Sequence, residues 1–83
     1  MNALSKHRRA LAHLRRREWR KAHALVMDLE DKAACHMHGL AHRLEGDMAN
    51  ARYWYAKAGV SLSRSLRLAA ELKRIETELN ATP

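Results

Sequence analysis

The sequence predicts an all-α chain, and three observations carry that prediction. Apolar residues return at steps of three and four, the spacing that lines one face of a helix. Phenylalanine is absent and the β-branched aliphatics are limited to Val26, Val60 and Ile75, which leaves a sheet without its usual residues. Three glycines and a lone proline, Pro83, leave the helical stretches largely unbroken.

Eighty-three residues suit one domain, spanning 1–83. A core of that size has little room for a deep enclosed active site. Cys35 is the only cysteine, so an internal disulfide is excluded. Neither a run of 18 apolar residues nor a signal-peptide core is present. The expectation is a soluble, cytoplasmic protein with no membrane partner.

The first helix is capped by Asn2 or Ser5, carries Leu4, His7, Leu11 and Leu14 on one side, and runs to about Arg16. No glycine or proline stops it, so one continuous long helix competes with a break before Trp19, after which a second helix turns Ala22, Leu25 or Val26, and Leu29 inward. Asp31 caps a third that turns Ala34, Met37, Leu40, Ala41 and Leu44 inward. Glycine at position 46 can take the left-handed conformation that ends this helix, and Asp47 can accept the free amides that open the next. A fourth helix runs from Met48 to about Ala58, with Gly59 as its stop. Ser61 or Ser63 caps a fifth, striped by Leu62, Leu66, Ala69, Leu72, Ile75 or Glu76, and Leu79, with Arg64, Arg67, Lys73, Arg74 and Glu78 opposite.

Self-similarity supports two copies of a hairpin. Leu11-Ala12-His13 returns as Leu40-Ala41-His42, Glu18 as Asp47, Trp19 as Met48 and Ala22 as Ala51, all offset by 29 positions. Two stacked hairpins follow, with helix five closing the exposed end.

Residues 39–58, Gly39-Leu40-Ala41-His42 through Gly46-Asp47 to Ala51, Tyr55 and Ala58, resemble the tetratricopeptide repeat. Gly39 matches the small residue of that family's first helix, Gly46-Asp47 its turn, and Ala51, Tyr55 and Ala58 its second helix. The first hairpin departs from the pattern: Arg17 stands at the turn glycine and Val26 at the aromatic position. The offset of 29 is below the family's period of about 34. The resemblance implies a tetratricopeptide-like stack of two helical hairpins plus a C-terminal capping helix. It also implies a non-enzymatic adaptor or regulator that holds a protein or peptide on a concave surface.

Charge narrows the partner. Lys6, Arg8, Arg9, Arg15, Arg16, Arg17, Arg20 and Lys21 face Glu18 alone in residues 1–21, which accounts for the whole net charge of +7. Arg15, Arg16 and Arg20 are therefore candidates for contact with an acidic partner, and nucleic acid served by the same basic hairpin is the alternative. Arg52, Tyr53 and Trp54, with His42, form the second candidate surface, because exposed aromatics beside arginine anchor interfaces. Helices one and five each present an apolar stripe with one neighbour to cover it, which predicts self-association, in the simplest case a homodimer.

Cys35, His38 and His42 fall at i, i+3 and i+7 on one helix face, a zinc-type set with Glu45 one turn further on. Packing demands the same spacing, so the expectation is no metal and no cofactor, with that trio as the weaker alternative; His36 points elsewhere. No nucleophile stands beside a base and an orienting acid, so no enzyme is predicted. Six histidines make association sensitive to pH near 6.5 an expectation.

Overall fold

The computed structural model describes residues 4–63 and 67–81. Five helices follow one another: α1 Ser5–Arg15, α2 Trp19–Val26, α3 Lys32–Glu45, α4 Met48–Ala58 and α5 Leu68–Ala81. The described residues contain no strand, so the chain is all-α. Asn2, Arg64 and Leu66, to which the sequence assigns roles, lie outside the described residues.

Chain reversal at residues 46 and 47 follows from local chemistry. Gly46 sits at φ +95°, and the amides of Gly46 and Asp47 donate to the carbonyls of Arg43 and His42. The paired bonds satisfy the last carbonyls of α3. The Asp47 carboxylate then accepts from the Asn50 amide at 3.2 Å and opens α4, as Asp31 does for Ala34 at 3.2 Å and α3. Gly59, at φ +73°, ends α4 in the same manner.

The first hairpin makes the same turn without glycine. The amides of Arg17 and Glu18 donate to Leu14 and His13, 29 positions before the bonds made by Gly46 and Asp47. Arg17 takes the left-handed conformation itself, at φ +61°. The turn is thus repeated in geometry where the sequence does not repeat. α2 and α4 begin at Trp19 and Met48, the same offset.

Close approach of α3 to α4 depends on Gly39. A Cβ there would lie 2.5 Å from Tyr55 Cδ1 and 3.2 Å from the Ala51 carbonyl oxygen. The small residue leaves the space that the Tyr55 ring fills.

α3 is the central element, packing against α1, α2, α4 and α5. Its residues Ala33 to Ala41 are all buried. The core joins Ala10, Leu11 and Leu14 of α1, Ala22 and Val26 of α2, Met37 and Leu40 of α3, and Leu72, Ile75 and Leu79 of α5.

Several local expectations need correction. Leu4, not Ser5, occupies the cap position of α1, and no side chain caps it, because Ser5 is already inside the first turn. α2 ends at Val26, short of Leu29. α5 begins at Leu68, and Leu62 is not helical. Ser61 and Ser63 are residues whose hydroxyls compete for the backbone.

α5 also lies elsewhere than at the open end of the second hairpin. Its main chain approaches α1 and α3 and does not approach α4. The outer face of α4 carries Ala49, Asn50, Arg52, Tyr53, Ala56 and Lys57, all exposed. Arg15 Nη2 donates to Glu76 at 2.7 Å and Arg8 Nη1 to Asn80 at 3.3 Å, fastening α5 along α1. The stripes of helices one and five, from which self-association was expected, cover each other.

Two substitutions test this packing. Arg17→Gly removes a left-handed penalty of roughly 1–2 kcal/mol and gives back part of it as unfolded-chain entropy. The net gain is about 0.5–1 kcal/mol, read as a melting temperature several degrees higher. Gly39→Ala overpacks the α3–α4 contact and lowers stability by roughly 1–3 kcal/mol in denaturant unfolding.

Candidate functional site

Two polar assemblies flank α3. The first is a cluster of rings at which α2, α3 and α4 meet. His38 and His42, one turn apart on α3, point to the same side of that helix. His23 of α2 comes to their edge, with ring centroids 4.5 Å from His38 and 5.0 Å from His42. One imidazole nitrogen from each of the three lies within 4.8 Å of the others.

Trp54 of α4 stacks flat on His38, centroid to centroid 3.7 Å and 14° from parallel. Tyr53 stands edge-on to Trp54 at 5.1 Å, and Lys57 Nζ lies over the indole at 4.9 Å. Tyr53 is 58% exposed, while Trp54 and His42 are half-buried.

Burial, and then the neighbouring His23, His42 and Lys57, pushes His38 down to about 4. His23 is lowered by burial and by His42. His38 therefore stays unprotonated at neutral pH and does not titrate near 6.5 as expected. His42 Nδ1 donates to Glu45 at 2.9 Å, which fixes that ring. Nδ1 of His38 is buried and has no hydrogen-bond partner.

Cys35 does not join the histidines. Its short side chain leans back to the start of α3 and donates to the Glu30 carbonyl at 3.5 Å. The thiol is fully buried, and burial raises its pKa. His23, which the sequence reading left aside, takes its place beside His38 and His42.

The second assembly is built on Glu71 of α5, 2% exposed. His36 Nε2 donates to it at 2.9 Å, Arg43 Nη1 at 2.5 Å, and the Tyr55 hydroxyl donates as well. Burial alone would raise the Glu71 carboxyl. The donors from His36 and Tyr55 and the Arg43 charge outweigh burial and hold it below the ordinary 4.5. Burial, with the Glu71 bond, raises the Tyr55 phenol. None of these four residues was singled out for a polar role by the sequence reading. The available signal was a register: Glu71 stands at i with Ile75 and Leu79 at i+4 and i+8, on the buried stripe of α5.

The remaining candidates are dispersed. Arg52 is exposed beside Tyr53. Arg15 is bound to Glu76, Arg16 lies 3.9 Å from Glu18, and Arg20 lies over the Trp19 ring at 5.2 Å. Arg20 is one turn from His23 on α2, so it borders the ring cluster, whereas Arg15 does not serve the same surface.

No family model, curated protein or solved structure matches the chain. Among the described residues no helix is long and apolar enough to cross a membrane.

Glu71→Ala leaves His36, Arg43 and Tyr55 without their shared acceptor and costs about 3–5 kcal/mol in chemical denaturation. The unfolded chain takes up the Glu71 proton at higher pH than the folded chain. The stability this carboxylate contributes is complete above pH 4.5 and is lost as pH falls through the lower folded value. A melting-temperature series from neutral pH into this acidic range is expected to fall. Glu71→Gln, which cannot titrate, is expected to flatten that part of the fall.

Proposed function

We propose that the chain is a small, non-enzymatic, cytoplasmic adaptor or regulator. It binds an acidic protein or peptide through the ring surface of α2, α3 and α4. The observation that supports this most is the exposed Tyr53 ring set edge-on against Trp54, which is itself stacked on His38. A ring held in place before binding loses little conformational freedom on association. Arg52 and Lys57 beside it, with Arg20 across on α2, supply the positive border for an acidic partner. The tetratricopeptide-like hairpin stack is part of this reading, supported by the Gly39–Tyr55 contact and by the turn that recurs 29 residues apart.

Nucleic acid is the second reading, favoured by the exposure of Arg9, Arg16, Arg17 and Arg20 on the first hairpin. Affinity would then fall with salt by about 0.9 log units per log unit for each duplex phosphate neutralised.

Co-precipitation with wild type and Tyr53→Ala, each treated with nuclease and washed at high salt, separates the two. A protein partner retained by wild type and weakened roughly 30-fold by Tyr53→Ala, about 2 kcal/mol, supports the adaptor. Material that is lost on nuclease treatment and is indifferent to Tyr53 contradicts it.

A further inference from the structure

The ring cluster carries a chemistry that partner binding does not use. The geometry points to a mononuclear site for a borderline divalent cation of the zinc type, ligated by His23, His38 and His42 and clipping α2 to α3. This goes beyond the adaptor reading and stands without it.

Three features of the cluster support the assignment. The first is convergence. His38 and His42 present nitrogens from successive turns of one helix, and His23 supplies a third from the facing helix, all within 4.8 Å. Nitrogens at about 2.0–2.1 Å from a tetrahedral ion stand roughly 3.3–3.4 Å apart. The three must therefore draw in by about 1.5 Å at most. His23 is only half-buried and can rotate to do so, while His42 keeps its bond to Glu45.

The second is an unmet need. His38 is 4% exposed, and its Nδ1 is one of three buried histidine nitrogens without a hydrogen-bond partner, with those of His7 and His36; of the three, His38 stands beside two further imidazoles, His23 and His42. A buried polar atom without a partner is costly and rare in native proteins. Trp54 covers the face of this ring. Metal ligation takes place at the ring edge, not at the face that Trp54 covers.

The third is the support around the ligands. Glu45 accepts from His42 Nδ1, which orients the ring and leaves Nε2 as its ligand nitrogen, as carboxylates do behind metal-bound histidines. Three imidazoles without a thiolate suit zinc, copper or nickel better than calcium or magnesium. Cys35, bound to the Glu30 carbonyl, belongs to a different environment. Three protein ligands leave a fourth position for water.

The test uses the full chain without a histidine tag, with Trp19→Phe as background so that Trp54 is the only indole. Zinc chloride is titrated in, with cobalt(II) as the spectroscopic substitute. Zinc is expected to raise the melting temperature, since an ion that binds only the folded form must stabilise it. Cobalt is expected to quench Trp54 fluorescence to an end point at one equivalent, with visible bands of tetrahedral intensity and no thiolate charge-transfer band.

His23→Asn and His42→Asn, at half-buried positions, are each expected to weaken zinc binding by more than the roughly 10–100-fold lost with an outer-shell partner, and Glu45→Gln within that range. Cys35→Ser and His13→Asn should leave it unchanged. No thermal or fluorescence response overturns the proposal, as does a response that survives in the folded His23→Asn/His42→Asn double variant. A thiolate band in the cobalt spectrum overturns it by itself, even if the double variant fails to fold.

Discussion

The fold depends on one buried carboxylate. Glu71 receives donors from two positions on α3 and one on α4, so three helices share a single acceptor group. Withdrawing a carboxylate from water costs several kcal/mol, and here three hydrogen bonds, one from a charged guanidinium, offset it. The return is specificity of placement. An apolar stripe such as Leu72, Ile75 and Leu79 could slide along α1 and α3 with little change in buried area. Glu71 fits where His36, Arg43 and Tyr55 converge. A helix of 14 residues is marginal alone in water, and this contact sets the register at which α5 adds to the core.

The same geometry explains why the ring cluster is on the other side of the molecule. With α5 laid along α1 and α3, the side of α3 that carries His38 and His42 is left to α2 and α4. Gly39 brings α4 close, Tyr55 turns inward to Glu71, and Trp54, one position earlier, turns to His38. Neighbouring residues of one helix turn thus serve the two assemblies, and the tight α3–α4 contact serves both.

Local signals were legible in the sequence and long-range pairings were not. Asp31 and Asp47 accept from amides three residues on, Gly46 and Gly59 donate their own amides to carbonyls three and four residues back, and each is found in the role its type suggests. Close approach at Gly39 entered through the family resemblance, which set Tyr55 toward the next hairpin, whereas the Tyr55 ring fills the space at Gly39 within the same hairpin. The position of α5 was not readable, since it rests on bonds spanning 35 and 28 residues between groups that look like ordinary surface charges. His23 joins the histidines of α3 through a packing angle that no spacing records, and Cys35 leaves them because a short side chain reaches only its own first turn. At Arg17 the reverse holds, in that the turn geometry is present without the glycine that favours it.

A small helical body fastened by Glu71, with a fixed aromatic surface on the opposite side, is therefore the framework on which binding to a partner or to a metal would act. Native-state amide hydrogen exchange tests this framework most directly. If Glu71 holds α5 as an integral element, the amides of Leu72 to Leu79 exchange only as the core of α3 opens, with similar free energies. Exchange of α5 amides at rates near those of an unstructured chain, with α3 still protected, would contradict the account.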